Sequence, residues 1–252
     1  MDPKSEDRLI VALDVSSAAA AQKIVAALGD SIKLYKVGMQ LYTAEGPQMV
    51  RDLVNSGRGV FLDLKYHDIP NTVASAVREA AQLGVSMLTV HASGGEKMLR
   101  AAAEASRERP DVPVRPLQIL AVTVLTSMDE SDLHQTGVAG TLLDQVLQLA
   151  STALNAGCAG VVSSAREVRD LRTKLGQDFL IVNPGVRPAG SDHGDQTRVV
   201  TPAEAIQYGA THIVVGRPIT AAKDPVSAAR AIQQEIRAAA DEGSPAHLTS
   251  AH

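Results

Sequence analysis

The sequence predicts an α/β protein, a closed (β/α)8 barrel of the TIM-barrel class, and three observations lead there. Short β-branched runs recur along the chain with Ala-rich or amphipathic helical stretches between them, the alternation of a parallel sheet covered by helices. Eight such strand-and-helix units can be read, which suits a closed barrel better than an open sheet. Together they use almost all of the 252 residues, a length at which barrels commonly form one domain, and no shift in composition marks a linker.

The first strand is expected near 8–14, on the apolar run Leu9-Ile10-Val11-Ala12-Leu13, and the Ala-rich stretch 17–28 is its helix. Leu34-Tyr35-Lys36-Val37-Gly38 falls in the second strand, 32–38, which feeds a helix over 47–56. The third strand, 59–65, contains Val60-Phe61-Leu62 and gives way to a helix over 70–83. A fourth strand at 86–91 precedes a helix at 95–108, and a fifth at 117–124, around Ala121-Val122-Thr123-Val124, precedes one at 140–156. The last three units pair strands at 159–163, 179–183 and 211–216 with helices at 165–175, 202–208 and 225–240. The ordered barrel is thus expected over 8–240 of a single domain, 1–252, with 241–252 as a flexible tail containing Gly243, Ser244 and Pro245.

With 45% hydrophobic and 21% charged residues and a net charge of -4, the chain reads as an ordinary globule without the basic surface that nucleic-acid binding needs. Its one cysteine, Cys158, excludes an internal disulfide and any multi-cysteine metal site, and its setting in Asn155-Ala156-Gly157-Cys158-Ala159-Gly160 predicts a small buried packing residue. The N-terminal residues lack the apolar core of a signal peptide and no segment approaches the roughly 20 apolar residues of a membrane span. A cytoplasmic location, with no membrane partner, is therefore expected.

In a barrel, reactive groups gather at the C-terminal ends of the strands. Those ends carry Asp14, Lys36, Asp63, Lys65, Asp68, His91, Thr126 and Ser127. The richest is Val60-Phe61-Leu62-Asp63-Leu64-Lys65-Tyr66-His67-Asp68-Ile69-Pro70-Asn71-Thr72, where strand alternation points Asp63 and Lys65 the same way and Asp68 waits in the turn beyond. Charges crowded on a mostly buried element persist only when paired or hydrogen-bonded, so this row marks chemistry. One Asp-x-Lys is an ordinary ion pair in most sequences; the argument here is that several strand ends deliver polar groups to one bowl. His67 and His91 lie nearby without metal-site spacing and are expected to hydrogen-bond, and Lys36 opposes a cation in the bowl, so no metal is expected.

Two signals in the last quarter point to an anion. Asn183-Pro184-Gly185-Val186-Arg187-Pro188 runs into a polar, Gly-rich stretch, 189–198, too long for a simple connector and expected to act as a lid. The eighth strand, His212-Ile213-Val214-Val215, ends in Gly216-Arg217-Pro218, which sets a bare backbone N–H near a guanidinium. Barrels often hold a substrate phosphate between the loops after strands seven and eight, and arginine matches phosphate oxygens in a bidentate fashion. A phosphorylated small molecule is the expected ligand.

On these residues the chain resembles the orotidine 5'-phosphate decarboxylase family, in its bacterial monofunctional branch. The matching blocks are Val11-Ala12-Leu13-Asp14, Lys36-Val37-Gly38, Asp63 to Thr72, Val90-His91-Ala92-Ser93-Gly94-Gly95, Ala121 to Ser127, Pro184 to Pro188, Gly194-Asp195-Gln196 and Val215-Gly216-Arg217-Pro218-Ile219-Thr220. Asn183 stands where the family is expected to have threonine, and Thr197 where a lysine is frequent.

The resemblance implies conversion of orotidine 5'-phosphate to uridine 5'-phosphate and carbon dioxide, the last step of de novo pyrimidine synthesis, by a homodimer using no cofactor. It implies that Lys65 protonates C6, that Asp63 lies beside the departing carboxylate, and that Lys36, Asp63, Lys65 and Asp68 form an alternating charge network. Asp14 and Lys36 are then expected at the ribose, Thr126 and Ser127 at the pyrimidine, and Arg187, Gln196, Gly216 and Arg217 at the phosphate. Asp68, Ile69 and Thr72 are expected to reach the neighbouring subunit's site. Two alternatives stand beside this one. One is a magnesium-dependent sugar-phosphate decarboxylase or aldolase-like enzyme of the same superfamily, resembling 3-keto-L-gulonate 6-phosphate decarboxylase or hexulose 6-phosphate synthase. The other is a non-catalytic phospho-ligand-binding barrel.

Overall fold

Strands that are apolar on both faces need cover on both, and the chain supplies it by closing them into a ring clad in helices. The structure, a computed structural model, describes residues 7–108, 116–188 and 200–242. Its strands are β1 (Leu9–Ala12), β2 (Leu34–Gly38), β3 (Gly59–Tyr66), β4 (Met87–His91), β5 (Gln118–Val122), β6 (Gly160–Val162), β7 (Leu180–Asn183) and β8 (His212–Val215). All pair in parallel in chain order, and β8 returns to pair with β1 in a closed barrel. The helices are α1 (Ala18–Leu28), α2 (Met39–Asn55), α3 (Pro70–Gln82), α4 (Gly95–Ala105), α5 (Glu130–Gln135), α6 (Leu142–Asn155), α7 (Val168–Leu175), α8 (Pro202–Gln207), α9 (Arg217–Thr220) and α10 (Pro225–Glu242).

All eight expected strands are present, and the helices differ from expectation in identifiable ways. The second begins at Met39 rather than near 47, because two helical runs are joined at Gly46, whose φ of 67° supplies a kink just before Pro47. Two short helices were not foreseen. One is α5, closed by a reciprocal cap between Asp129 and Asp132, and the other is α9, which starts directly after Gly216. Asp241 and Glu242, expected in the tail, belong to α10, and the rest of that tail lies outside the described residues.

Side chains alternate across each strand. One set, including Ile10, Ala12, Leu34, Phe61, Met87, Leu120 and Val182, fills the barrel interior, and the other, including Val11, Tyr35, Leu62, Leu88 and Val161, packs outward against the helices. Each such fully buried Leu, Ile or Phe contributes roughly 1.5–3 kcal/mol, so the interior is a packed floor and not a pore. At Gly160 a Cβ would overlap the Leu180 carbonyl, which is how closely β6 and β7 approach. Arg172 ties this side of the barrel together, donating to the carbonyls of Gly209 (2.9 Å), Gln177 (3.1 Å) and Phe179 (3.0 Å). Cys158, 7% exposed, is the packing residue expected from its sequence, and burial pushes its thiol up to about 12. Among the described residues no helix is long and apolar enough to cross a membrane.

Candidate active site

Continuing the inward alternation beyond the floor converts an apolar layer into a charged one. Ala12 leads by two residues to Asp14, Leu34 to Lys36, Phe61 to Asp63 and Met87 to Thr89, so four neighbouring strands deliver polar side chains at the same end of the barrel. They are linked. Lys36 Nζ lies 2.8 Å from Asp14 Oδ1 and 3.7 Å from Asp63 Oδ2, and Lys65 Nζ lies 2.8 Å from Asp63 Oδ1. Gly38 makes room for this row, since a Cβ there would come within 3.0 Å of Lys36 Nζ.

Lys65 reaches Asp63 by a route that strand alternation alone does not give. The β3–β4 register runs from Leu62↔Leu88 to Tyr66↔Val90, so residues 63–65 of β3 stand opposite Thr89 alone. The extra length is taken up in a bulge, and Lys65 adopts φ 52°, the one positive φ at a non-glycine residue among those described. Such a conformation costs roughly 1–2 kcal/mol and persists only where its surroundings hold it. Thr89 provides that hold. Its hydroxyl accepts from the Lys65 backbone N–H at 2.8 Å and donates to Asp63 Oδ1 at 3.0 Å.

A cavity of about 170 Å3 opens over this row. Lys36, Asp63, Lys65, Thr126 and Ser163 supply its polar wall, and Phe61, Val122, Val124, Val162 and Val214 the apolar one. Fixed charges against a hydrocarbon wall act in a medium less polarisable than water, so a charge developing there would feel them strongly. A larger groove, of about 360 Å3, lies at the opposite end of the barrel between Lys33 and the α10 residues Arg230 and Arg237, away from these groups.

The remaining expected residues divide. Thr126 lines the cavity, whereas Ser127 is exposed just beyond it. Asp68 is exposed and apart from the row, accepting a hydrogen bond from the Ile69 N–H at 2.6 Å. Ile69 is 66% exposed and Thr72 is also exposed. Arg187 is buried, and its Nε has no hydrogen-bond partner among the described residues. Gly216 and Arg217 stand at the start of α9, Gly216 beside Ala12 and Asp14 of the first unit. Gln196 and the expected lid lie outside the described residues. His67 and His91 pack ring to ring at 5.6 Å. Burial, and then the charges of His67 and Lys65, hold His91 below the usual histidine range against the opposing pull of Asp63. Among the described residues no three His, Cys, Asp or Glu side chains converge as a metal site would.

Residues 7–232 match the Orotidine 5'-phosphate decarboxylase / HUMPS family. The chain belongs to this family. Curated relatives named orotidine 5'-phosphate decarboxylase include one from Moorella thermoacetica, 53% identical over 234 residues covering 92% of this chain and 93% of the relative. Another, from Nitrosococcus oceani, is 50% identical over 231 residues, covering 92% of this chain and 98% of the relative. A crystal structure of the orotidine 5'-phosphate decarboxylase from Lactobacillus acidophilus superposes with a TM-score of 0.83 at 39% identity, covering 91% of this chain and 99% of that one.

Sequence reasoning overlooked Thr89 and Ser163. Thr89 carried a faint signal, a hydroxyl two residues before His91 in an otherwise apolar strand, hence on the same face. Ser163 carried none, because it enters the wall only through the way β6 ends beside Val162.

Proposed function

We propose that this chain carries out the reaction for which its relatives are named, releasing carbon dioxide from orotidine 5'-phosphate to leave uridine 5'-phosphate. The observation that carries the mechanism is the Lys36–Asp63–Lys65 row set against the apolar wall of the cavity. Loss of carbon dioxide from C6 leaves an electron pair in an in-plane orbital that the pyrimidine π system cannot delocalise. Stabilisation must then come from a cation already in place, and the Lys65 ammonium supplies it and afterwards donates its proton to C6. Asp63 orients Lys65 and lies beside the departing carboxylate.

The same reading assigns the outlying groups. Asp14 and Lys36 meet the ribose hydroxyls, Thr126 and Ser127 the pyrimidine, and Arg187, Gln196, Gly216 and Arg217 the phosphate, whose binding energy helps to organise the reacting end. Asp68, Ile69 and Thr72 serve the site of a second copy in a homodimer. In support, they are exposed in the single chain, with Met39 and Leu125 as further exposed apolar residues near the same end. A cytoplasmic site of action fits a pyrimidine-nucleotide enzyme.

Release of labelled carbon dioxide from carboxyl-labelled orotidine 5'-phosphate tests the function directly, and absence of release from folded protein refutes it. The family also includes the magnesium-dependent sugar-phosphate enzymes. Lys36 occupies the end of β2 where those enzymes would need an acidic ligand, and its ammonium repels a divalent ion. Full activity in EDTA is therefore expected.

A further inference from the structure

We infer that Thr89 is a positioning residue for this decarboxylation, the wedge that sets both the carboxylate of Asp63 and the backbone that aims Lys65. The inference rests on the function proposed above. Thr89 is 0% exposed, in the middle of β4, and faces the interior. It is the one β4 residue opposite the three-residue excursion of β3, where the regular ladder register is interrupted. Its side chain takes up the Lys65 N–H there.

A hydroxyl has one proton and two lone pairs, and here the proton and one lone pair are committed. A carboxylate accepts only, so the proton goes to Asp63 Oδ1 at 3.0 Å, and a lone pair receives the Lys65 N–H at 2.8 Å. That same Oδ1 receives Lys65 Nζ at 2.8 Å. One threonine oxygen therefore fixes the two ends of the Asp63–Lys65 unit, the backbone from which the lysine springs and the oxygen against which its ammonium rests. Without the hydroxyl, a buried N–H loses its partner and the Asp63 carboxylate is free to rotate toward Lys36, 3.7 Å from Oδ2. Both changes move Nζ relative to C6, and misplacement of about 1 Å can cost ~100-fold in rate.

Thr89→Val keeps the branched shape and removes only the hydroxyl, whereas Thr89→Ser keeps the hydroxyl and removes a methyl. The valine variant is expected to lose ~100-fold in kcat for orotidine 5'-phosphate with KM changed less than about threefold, because the phosphate groups are untouched and Lys36 keeps its 2.8 Å bond to Asp14 at the ribose. Serine is expected to restore kcat to within about fivefold of wild type although its packing defect is the larger. Affinity for uridine 5'-phosphate, which lacks the carboxylate, is expected to hold in both. Rates are expressed per folded molecule, and Thr89→Ala, which introduces no bulk, is measured alongside should valine fail to fold. A hydroxyl-free variant with kcat within threefold of wild type, or a serine variant as slow as valine, overturns the inference. If the wild-type protein releases no carbon dioxide, the function itself fails and this role falls with it.

Discussion

Replacing Lys65 by alanine separates the chemistry of the row from its structural part. If the ammonium sits ~3 Å from the developing carbanion and the effective dielectric constant is about 20, it stabilises the transition state by about 5 kcal/mol. At 1.36 kcal/mol per tenfold, that is roughly four decades of rate. The true loss should be larger, since the proton must then come from water and Asp63 is left with only Lys36, 3.7 Å away, to offset its charge. Stability should suffer far less. Alanine at φ 52° is no more strained than lysine, and Asp63 keeps the Thr89 hydroxyl at 3.0 Å, so a cost of about 2 kcal/mol is expected. Turnover followed by carbon dioxide release, alongside a denaturant unfolding curve, reads both quantities. A folded Lys65→Ala protein with kcat within tenfold of wild type would refute the electrostatic argument.

Mixing inactive Lys65→Ala with inactive Asp68→Ala is expected to restore about a quarter of wild-type activity if Asp68 serves the partner's site, because half the dimers are hybrids with one intact site each; no recovery after subunit exchange would place Asp68 in its own chain's site. Arg217→Ala should raise KM for orotidine 5'-phosphate while leaving turnover of the phosphate-free nucleoside unchanged, and equal losses on both would contradict phosphate recognition. Because His91 is held below its ordinary value of about 6.5, the unfolded chain takes up its proton first as pH falls, so stability is full above that value and declines below it. His91→Gln should flatten that decline in unfolding curves recorded across the window. Arg172→Ala removes three hydrogen bonds to carbonyls and should cost about 3 kcal/mol, with little recovery in Arg172→Lys, which cannot reproduce the planar fork.

The strands were legible because apolar β-branched runs admit few other readings, and Asp14, Lys36 and Asp63 were legible because alternation carries each of them inward from a floor residue. Lys65 was placed correctly beside Asp63, but by the wrong geometry. A bulge is a relation between two strands, and nothing within 59–66 announces that β4 will meet it with a single threonine. The early start of α2 was hidden by Gly46 and Pro47, which punctuate a sequence as a loop would, and α5 and α9 are too short to show a helical period. Asp68 was legible as a charge in the turn after the third strand, but its reach to a second subunit, like the roles of Ile69 and Thr72, came from resemblance alone, because a single chain's sequence carries no trace of its partner's surface.

Buried, and with its thiol pushed up to about 12, Cys158 stays protonated and shielded at pH 8. Maleimides and similar reagents will therefore pass it by while the protein stays folded. A cysteine introduced at Lys23, exposed on α1 and away from the cavity, can be labelled alone in an otherwise native background, without first engineering out the natural sulfur.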